Sequence, residues 1–519
     1  MFTDEILENI YKARGINDKK KFLNPPTYWL STREWENNRF VEHAIKLIED
    51  AIVQNENIII HADVDLDGIT AGTIMYRYLK HWTDNVSCVI NQGKQHGLQG
   101  TDLSKFDKAD LIIVCDSLDS TTETYEKLCA EGKIIIVLDH HDIVPNIDYC
   151  MITLVSSYNS DNPDLSGAGV CFKLCQLYDQ QTQSHFSDEY YDLATCGIVG
   201  DMCSMLSMEN RAICNKGFAN ITNPFIKQIT KGFGFNSKSV MYSIAPLINS
   251  ANRTNQNELA LRVFLTDDEK ELKQYIKLLK KCKKYQNSEV DNLLPRIVEQ
   301  CEVQKDNPVL CVQINTEYNL SGLIGNKLIG MYKKPVIVLR NLIDDTYYGS
   351  GRSVGVKDFR QMCSDTCLCK ANGHTNAFGF EIKKQALNLF LQEINSKLAN
   401  YTFEQSTDVD VLLNPEDVTP DLVNQIKEFD RITGTDCPPI SVMITTNEYE
   451  VNSMSGGKHL VLKPNNKFDI IQWNYDGDLN QMEEHSLFGD EVIAVGNLDS
   501  GYLGRRFSLK LIASNIEVT

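Results

Sequence analysis

Residues 61–68 read His61-Ala62-Asp63-Val64-Asp65-Leu66-Asp67-Gly68, a histidine and three alternating carboxylates directly after the apolar run Ile58-Ile59-Ile60. One Asp at a strand end is ordinarily a helix cap. Three in alternation repel one another unless cations neutralise them, so the segment reads as a metal site. Two further apolar runs end the same way: Leu111-Ile112-Ile113-Val114 leads into Cys115-Asp116-Ser117, and Ile134-Ile135-Ile136-Val137-Leu138 into Asp139-His140-His141-Asp142. A fourth strand end is expected at Gly200-Asp201, after the apolar stretch Cys196 to Val199. Carboxylates with a few imidazoles suit Mn²⁺ or Mg²⁺, whereas Zn²⁺ more often takes thiolates or a histidine-dominated set. Mn²⁺ is the first choice and Mg²⁺ the alternative. Cys363, Cys367, Cys369 and His374 also gather donors, but their spacing is irregular and no second Cys pair completes a tetrahedron, so they read as core and loop thiols.

Helical patterns separate the apolar runs, from Ile69 to Lys80 and from Thr122 to Ala130. That alternation predicts a doubly wound parallel sheet, in which ligands sit beyond the carboxyl ends of the strands, where each carboxylate cluster falls. A helical lead-in, residues 1–50, precedes a catalytic domain over 51–267. Residues 268–305 form a glycine-free, lysine-rich linker helix, with Lys270, Lys273, Lys277, Lys280, Lys281, Lys283 and Lys284 along it. A smaller α/β domain follows over 306–400. Residues 401–519 alternate apolar and polar positions between turn signals, as a small β-barrel does.

A chain of 519 residues implies three or four domains. Its composition, 42% hydrophobic and 23% charged, is that of a globular protein rather than a disordered one. The net charge of −19 argues against sequence-blind attraction to nucleic acid, so any DNA site must be local. Sixteen scattered cysteines suit reduced thiols. An acidic N-terminus and the lack of a membrane-length apolar run point to the cytoplasm and away from a membrane partner.

The triplet Asp139-His140-His141 and the order of the four motifs resemble the DHH phosphoesterase superfamily. The His-x-x-x-Asp-x-Asp pattern of His61, Asp65 and Asp67 is similar to that of manganese inorganic pyrophosphatases. The resemblance implies that His61 and Asp65 hold one metal, that Asp67, His140 and Asp201 hold another, and that Asp116 bridges them. It places His141 against the scissile phosphate and makes Asp63 and Asp139 groups that orient ligands. Two cations roughly 3.5–4 Å apart activate water near neutral pH and stabilise the entering and leaving oxygens of an in-line displacement.

Within that superfamily the chain resembles the RecJ branch of single-stranded-DNA exonucleases over nearly its whole length. Leu165-Ser166-Gly167-Ala168-Gly169-Val170 is similar to the glycine-rich segment before the fourth motif, and Ile244 to Arg253 to the close of the catalytic domain, with Asn252 where glycine is usual. Gly349-Ser350-Gly351-Arg352-Ser353 and Asn372-Gly373-His374-Thr375-Asn376-Ala377-Phe378-Gly379 resemble two signature loops of the DHH-associated domain. Asn372 replaces a glycine there, and Asn tolerates left-handed geometry. Asn249, Arg253, Gly351, Arg352, Ser353, Gly373 and His374 are the implied phosphate contacts, with Arg253 at the 5′-phosphate. Lys94 stands where many members have an arginine. The C-terminal part resembles an OB-fold at His459-Leu460-Val461-Leu462 and Val492-Ile493-Ala494-Val495-Gly496. Trp473, Tyr475, Tyr502 and Phe507 are its stacking candidates, and Lys463, Lys467, Arg505 and Arg506 its phosphate ligands.

The implied activity is a metal-dependent 5′-to-3′ exonuclease that hydrolyses single-stranded DNA to 5′-mononucleotides in repair, recombination or replication, with a helicase or single-strand-binding protein as a further partner. The alternatives are a DHH phosphodiesterase of short oligonucleotides or cyclic dinucleotides, which ordinarily lacks the OB domain, and a non-catalytic replication scaffold, in which the metal site has decayed.

Overall fold

The computed structural model describes residues 2–518 except 33–34, 36–37, 93–96, 144–146, 317, 404–407, 476 and 504–505. Lys94, Arg505 and the side chain of Tyr502 therefore lie outside the described residues.

Five parallel strands build the first sheet: β1 (Ile58–Ala62), β2 (Val86–Ile90), β3 (Leu111–Cys115), β4 (Ile134–Asp139) and β5 (Thr153–Ser156), in the order β2-β1-β3-β4-β5. Both faces of the central strands are buried. Ile58, Ile60, Leu111, Ile113, Ile136 and Leu138 enter one hydrophobic cluster, while Ile59, Ile112, Val114, Ile135 and Val137 enter another. Covering both faces makes the inner strands read as unbroken apolar runs. The edge strands β2 and β5 have no such run, since β2 exposes its middle residues, and the sequence reading passed over both.

One expectation is overturned here. Cys196 to Val199 is not a strand but part of the helix Tyr191–Gly200, and Asp201 sits at that helix's carboxyl end. The helix is buried nearly throughout, so its apolar run carries no amphipathic period to tell it from a buried strand.

The linker helix spans Glu269–Val303, 35 residues. Asp268 caps it, accepting from the amides of Lys270 at 2.9 Å and Glu271 at 2.8 Å. Leu272, Ile276 and Leu279 pack into the core of the first domain, and Val290, Ile297 and Cys301 into that of the second. The second sheet runs β6 (Leu310–Gln313), β7 (Val336–Ile343), β8 (Thr346–Arg352), β9 (Cys369–His374) and β10 (Ala377–Lys383) in the order β6-β7-β8-β10-β9. Only the β6–β7 pair is parallel.

The two expected signature loops are largely strand. Ala377 pairs with Arg352 and Phe378 with Gly351 across β10 and β8, and Asn372 lies inside β9. Asn372 is extended, so no left-handed geometry is asked of it, and Gly373 next to it takes the positive φ of 126°. A side chain at Gly351 would strike the Phe378 ring, which gives that glycine a packing reason beside any phosphate contact.

The C-terminal unit is a seven-stranded sheet of β11 (Val411–Leu413), β12 (Val442–Thr446), β13 (Glu450–Met454), β14 (His459–Lys463), β15 (Phe468–Gln472), β16 (Val492–Leu503) and β17 (Arg506–Val518), ordered β11-β12-β16-β17-β15-β14-β13. Its core is continuous with that of the first domain. The N-terminal lead-in clamps the two together: Tyr11 and Phe22 pack on Phe429 with ring centroids 5.5 and 5.8 Å apart. Arg14 makes a bidentate pair with Asp410 at 2.7 and 2.6 Å. Buried Arg211 donates to the Phe22 carbonyl at 2.8 Å and the Ile432 carbonyl at 3.2 Å. No helix among the described residues is long and apolar enough to cross a membrane.

Candidate metal centre

The ends of β1, β3 and β4 bring His61, Asp63, Asp116 and Asp139 to one edge of the sheet, as the register of the parallel pairs requires. Asp65 caps the helix Leu66–Leu79, accepting from the Gly68 amide at 3.0 Å, so the chain turns at once and carries Asp67 on the helix's first turn. The glycine-rich segment then finds its purpose. Gly167 N–H donates to Asp67 Oδ2 at 2.7 Å and Ala168 N–H to Oδ1 at 3.0 Å. These are the free first-turn amides of the helix Gly167–Thr182, a place where a carboxylate is favoured. A Cβ on Gly167 would lie 2.5 Å from Asp116 Oδ1 and 2.6 Å from its Cβ, so only glycine lets this helix approach both carboxylates.

His140 Nε2 sits among three of them, 3.3 Å from Asp116 Oδ1, 3.5 Å from Asp201 Oδ2 and 3.8 Å from Asp67 Oδ2. His141 turns the other way. Its Nδ1 lies 2.8 Å from Asp139 Oδ1, and Asp139 also accepts from the amides of Leu118 and His140, each at 2.7 Å. Burial pushes the Asp139 carboxyl up, but the His141 hydrogen bond and charge outweigh it and hold the group below the usual carboxylate range. His141, whose burial opposes charging, is held protonated by the same partner and pushed up to about 10. The pair is an oriented, charged imidazole on an ionised carboxylate.

At the other carboxylates burial outweighs the nearby imidazoles, His140 for Asp67 and His141 for Asp201. Burial, then the negative charge of neighbouring aspartates, raises Asp116 well above its ordinary value and pushes Asp201 up to about 8. Burial is likewise the first cause for Asp67. Asp116 holds a left-handed φ of 63°, uncommon outside glycine and characteristic of sites that over-determine a backbone conformation. Asp116 Oδ1 and His140 Nε2 are buried without a hydrogen-bond partner among the described residues. Ligand atoms fall into three groups within 4.8 Å of one another: Asp116, Asp139, His140 and His141; Asp67, His140 and Asp201; Asp63, Asp65 and Asp116. Crowded, orphaned oxygens with imidazole and no thiolate fit hard divalent cations. His61, buried on β1 with its ring 6.2 Å from that of Phe106, falls in none of the three groups.

A cavity of about 410 Å³ opens from Asp65 and Asp67 into the space between the lobes. The first lobe lines it with Asn249, Asn252 and Arg253, the second with Ser350, Arg352 and His374. Both arginines line this one cavity, and burial, then the like charge of Arg352, lowers the Arg253 guanidinium. Arg352 is aimed by Asn326 Oδ1 at 2.9 Å, and Arg253 by Gln286 of the linker helix at 3.3 Å. Asn252 donates to the Val64 carbonyl, tying the helix Ala245–Arg253 to the aspartate turn. Ser353 bonds Asn376, and neither it, Gly351 nor Gly373 lines the cavity. Asn319, Ser321 and Gly322 do, and the sequence reading missed them. The one available signal was Ser321-Gly322 opening the helix Ser321–Tyr332, whose first-turn amides suit an anion.

The OB candidates are spread out. Trp473 is 47% exposed and packs edge-on against His459 at 4.8 Å, while Tyr475 is half-buried against the core. Lys463 ends β14, and Arg506 is paired with Asp469. Phe507, 55% exposed, lies at the far end of β17 from Trp473, roughly 20 Å by strand register, so the two rings are no single stacking platform.

Residues 57–198, which hold three of these strand ends and the Asp67 turn, match the model of the DHH family, N-terminal domain. The chain is 29% identical over 487 residues, 86% of its length and 84% of the relative's, to the protein described as the SPbeta prophage-derived single-strand DNA-specific exonuclease YorK of Bacillus subtilis. With the single-stranded-DNA-specific exonuclease RecJ of Thermus thermophilus it is 23% identical over 487 residues, 90% of this chain and 70% of that one. Crystal structures of Thermus RecJ superpose with a TM-score of 0.81 in complex with Mn²⁺ and 0.74 with Mg²⁺, at 21% identity, covering 99% and 98% of this chain and 76% and 74% of theirs. Residues 57–198 carry a DHH-family domain, and the chain as a whole is RecJ-like. In this RecJ-like protein the superposition extends beyond the family's N-terminal domain to the second lobe and the C-terminal sheet, so their arrangement around the cleft belongs to the shared fold.

Proposed function

We propose that the protein is a two-metal phosphodiesterase that degrades single-stranded DNA from its 5′ end and releases 5′-mononucleotides. The observation that carries this is the cleft, where a carboxylate and imidazole centre and two arginines open into one cavity between lobes. Asp67, His140 and Asp201 would hold one divalent cation and Asp63 and Asp65 another, with Asp116 shared and His61 supporting β1 beside them; Mn²⁺ is preferred and Mg²⁺ accepted. Two cations held there supply Lewis acidity to the phosphate and make water acidic enough to attack near neutral pH.

The chain's own residues do the rest. Asp139 fixes His141 as a cation 2.8 Å away, ready to donate toward a non-bridging phosphate oxygen or the departing 3′ oxygen. Arg253 and Arg352 anchor phosphates on either wall, Arg253 the terminal 5′-phosphate, and His374 closes the second wall. A cavity of about 410 Å³ walled by both lobes favours one extended strand over a duplex, and the C-terminal sheet favours a polymer over a dinucleotide. The names of the relatives support the same substrate.

The test is the product ladder from single strands labelled at either end, with duplexes and cyclic dinucleotides in parallel. Stepwise shortening from the 5′ end is expected. First cuts at the 3′ end, internal cuts, or turnover of dinucleotides alone would overturn the reading. Arg352→Ala is expected to weaken single-strand binding by about 1–3 kcal/mol, the value of a charge-assisted hydrogen bond, and to flatten its salt dependence. Equilibrium binding at two salt concentrations reads this, and unchanged affinity at low salt removes Arg352 from the phosphate path.

A further inference from the structure

The helical run from Ser237 to Arg253 joins two cavities. Its carboxyl-terminal part gives Ala245, Asn249, Asn252 and Arg253 to the metal cleft. Its amino-terminal part gives Lys238, Met241 and Tyr242 to a second cavity of about 320 Å³, completed by Thr433, Pro439, Asn497 and Asp499 of the C-terminal unit. Between them lies a π-type turn, Val240–Ile244, in which the Ala245 amide donates to the Val240 carbonyl five residues back. Such turns are rare and recur at functional sites, because the extra residue re-aims the side chains around it.

Here the turn buries Val240 and Ile244 completely and leaves Tyr242 between them 73% exposed. Among the described residues the Tyr242 ring and hydroxyl have no hydrogen-bond or ring partner. Nearby charges are already engaged: Asp499 pairs with Lys427 at 2.9 Å and Lys238 lies 3.9 Å from Asp430. What the surface offers a ligand beside Tyr242 is therefore an open aromatic face. Tyr242 lines the second cavity while Ala245, Asn249 and Asn252 of the same helical run line the cleft, so the ring stands on the run of chain that leads from one cavity to the other. From Arg253 back to Tyr242 is eleven residues, roughly 16 Å of helix. At roughly 3.4 Å per stacked nucleotide this is about five nucleotides from the site that holds the strand's end.

We propose that Tyr242 is a base-stacking platform for the single strand where it passes between the C-terminal unit and the metal cleft, about five nucleotides from its 5′ end. The proposal rests on the single-strand exonuclease reading above and adds the contact that makes chain length matter. Stacking on one ring is indifferent to sequence, because every base has a face, and this suits an enzyme that must read through any strand.

The test measures binding by fluorescence anisotropy, and kcat/KM with Mn²⁺, for the full-length protein and its Tyr242→Ala, Tyr242→Phe and Tyr242→Trp variants on 5′-phosphorylated strands of two to twenty nucleotides. Tyr242→Ala is expected to lose about 5- to 100-fold in affinity and kcat/KM on strands longer than about six nucleotides, to match wild type on dinucleotides and trinucleotides, and to be rescued by Phe and Trp. A single abasic nucleotide stepped along the strand should weaken wild-type binding most near position five and leave Tyr242→Ala insensitive to its place. Equal loss at every length, no loss at any length, or failure of Phe to rescue overturns the stacking role while leaving the exonuclease reading intact. A wild-type protein that neither binds nor cuts single strands overturns both.

Discussion

Asp116→Ala is expected to abolish phosphodiester hydrolysis, lowering kcat by about three orders of magnitude or more, the scale on which losing one preorganised charge-stabilising group is felt. Asp116 belongs to two of the three donor groups and lies 3.3 Å from His140, so its loss disturbs both cation positions together. Alanine also meets a backbone penalty, since φ is 63° there and the left-handed region costs most residues about 1–2 kcal/mol. Asp116→Asn is the cleaner variant: it keeps the shape and the tolerance for that backbone and removes only the charge. It should be equally inactive yet fold normally, because it relieves a buried carboxylate that its neighbours repel. Steady-state turnover with Mn²⁺, beside far-ultraviolet circular dichroism, reads both parts. Activity of the Asn variant within tenfold of wild type would refute a shared cation ligand at this position.

Chelation is expected to end activity and, more tellingly, to make stability depend on pH. Asp67, Asp116 and Asp201 have folded values above the usual carboxylate value of 3.8, with Asp201 pushed up to about 8 by burial first and by Asp67 and Asp65 next. For a carboxyl raised on folding, the native state holds a proton that the unfolded chain releases. The associated stability is present below about pH 4 and is lost as pH climbs toward 8. His141, pushed up to about 10, adds a loss of the same sign above its unfolded value near 6.5. Asp139, lowered on folding, acts oppositely but only at the acid end, so between pH 5 and about 6.5 the repelling carboxylates lead the loss and above that His141 adds to it. Cations compete with those protons and stabilise by about 2.7 kcal/mol per site at a hundredfold excess over Kd. The gap in Tm between Mn²⁺-loaded and chelated protein should widen steadily from pH 5 to 8. A gap that stays constant or narrows would mean that these carboxylates do not bind the metal.

The inner strands of the first sheet were legible because burial on both faces leaves unbroken apolar runs, and the carboxylates at their ends because a doubly wound sheet puts ligands there. The linker helix was legible within two residues at each end, since Asp268 is a cap and no glycine interrupts the pattern after it. Asp201 was found for the wrong structural reason: a short apolar run is the same word in a buried helix and a buried strand. Asn319 could not have been singled out, because nothing in its type or spacing distinguishes it from a surface polar residue until the second lobe is laid against the first, and Ser321 offered only its place at the start of a helix.

The sequence by itself therefore determined the set of hard donors, the sheet that carries them and the resemblance to RecJ, because those depend on local order: which residue follows which strand. Only the tertiary structure decided that Gly167 and Ala168 hold Asp67 across a hundred residues of chain, that Asp63 joins Asp65 and Asp116, and that Arg253 and Arg352 line one cavity. It alone turned Tyr242 out of a π-type turn between two cavities. These are contacts between segments far apart in the chain, fixed by how helices and lobes pack, and packing at that range leaves no period or spacing in the sequence to read.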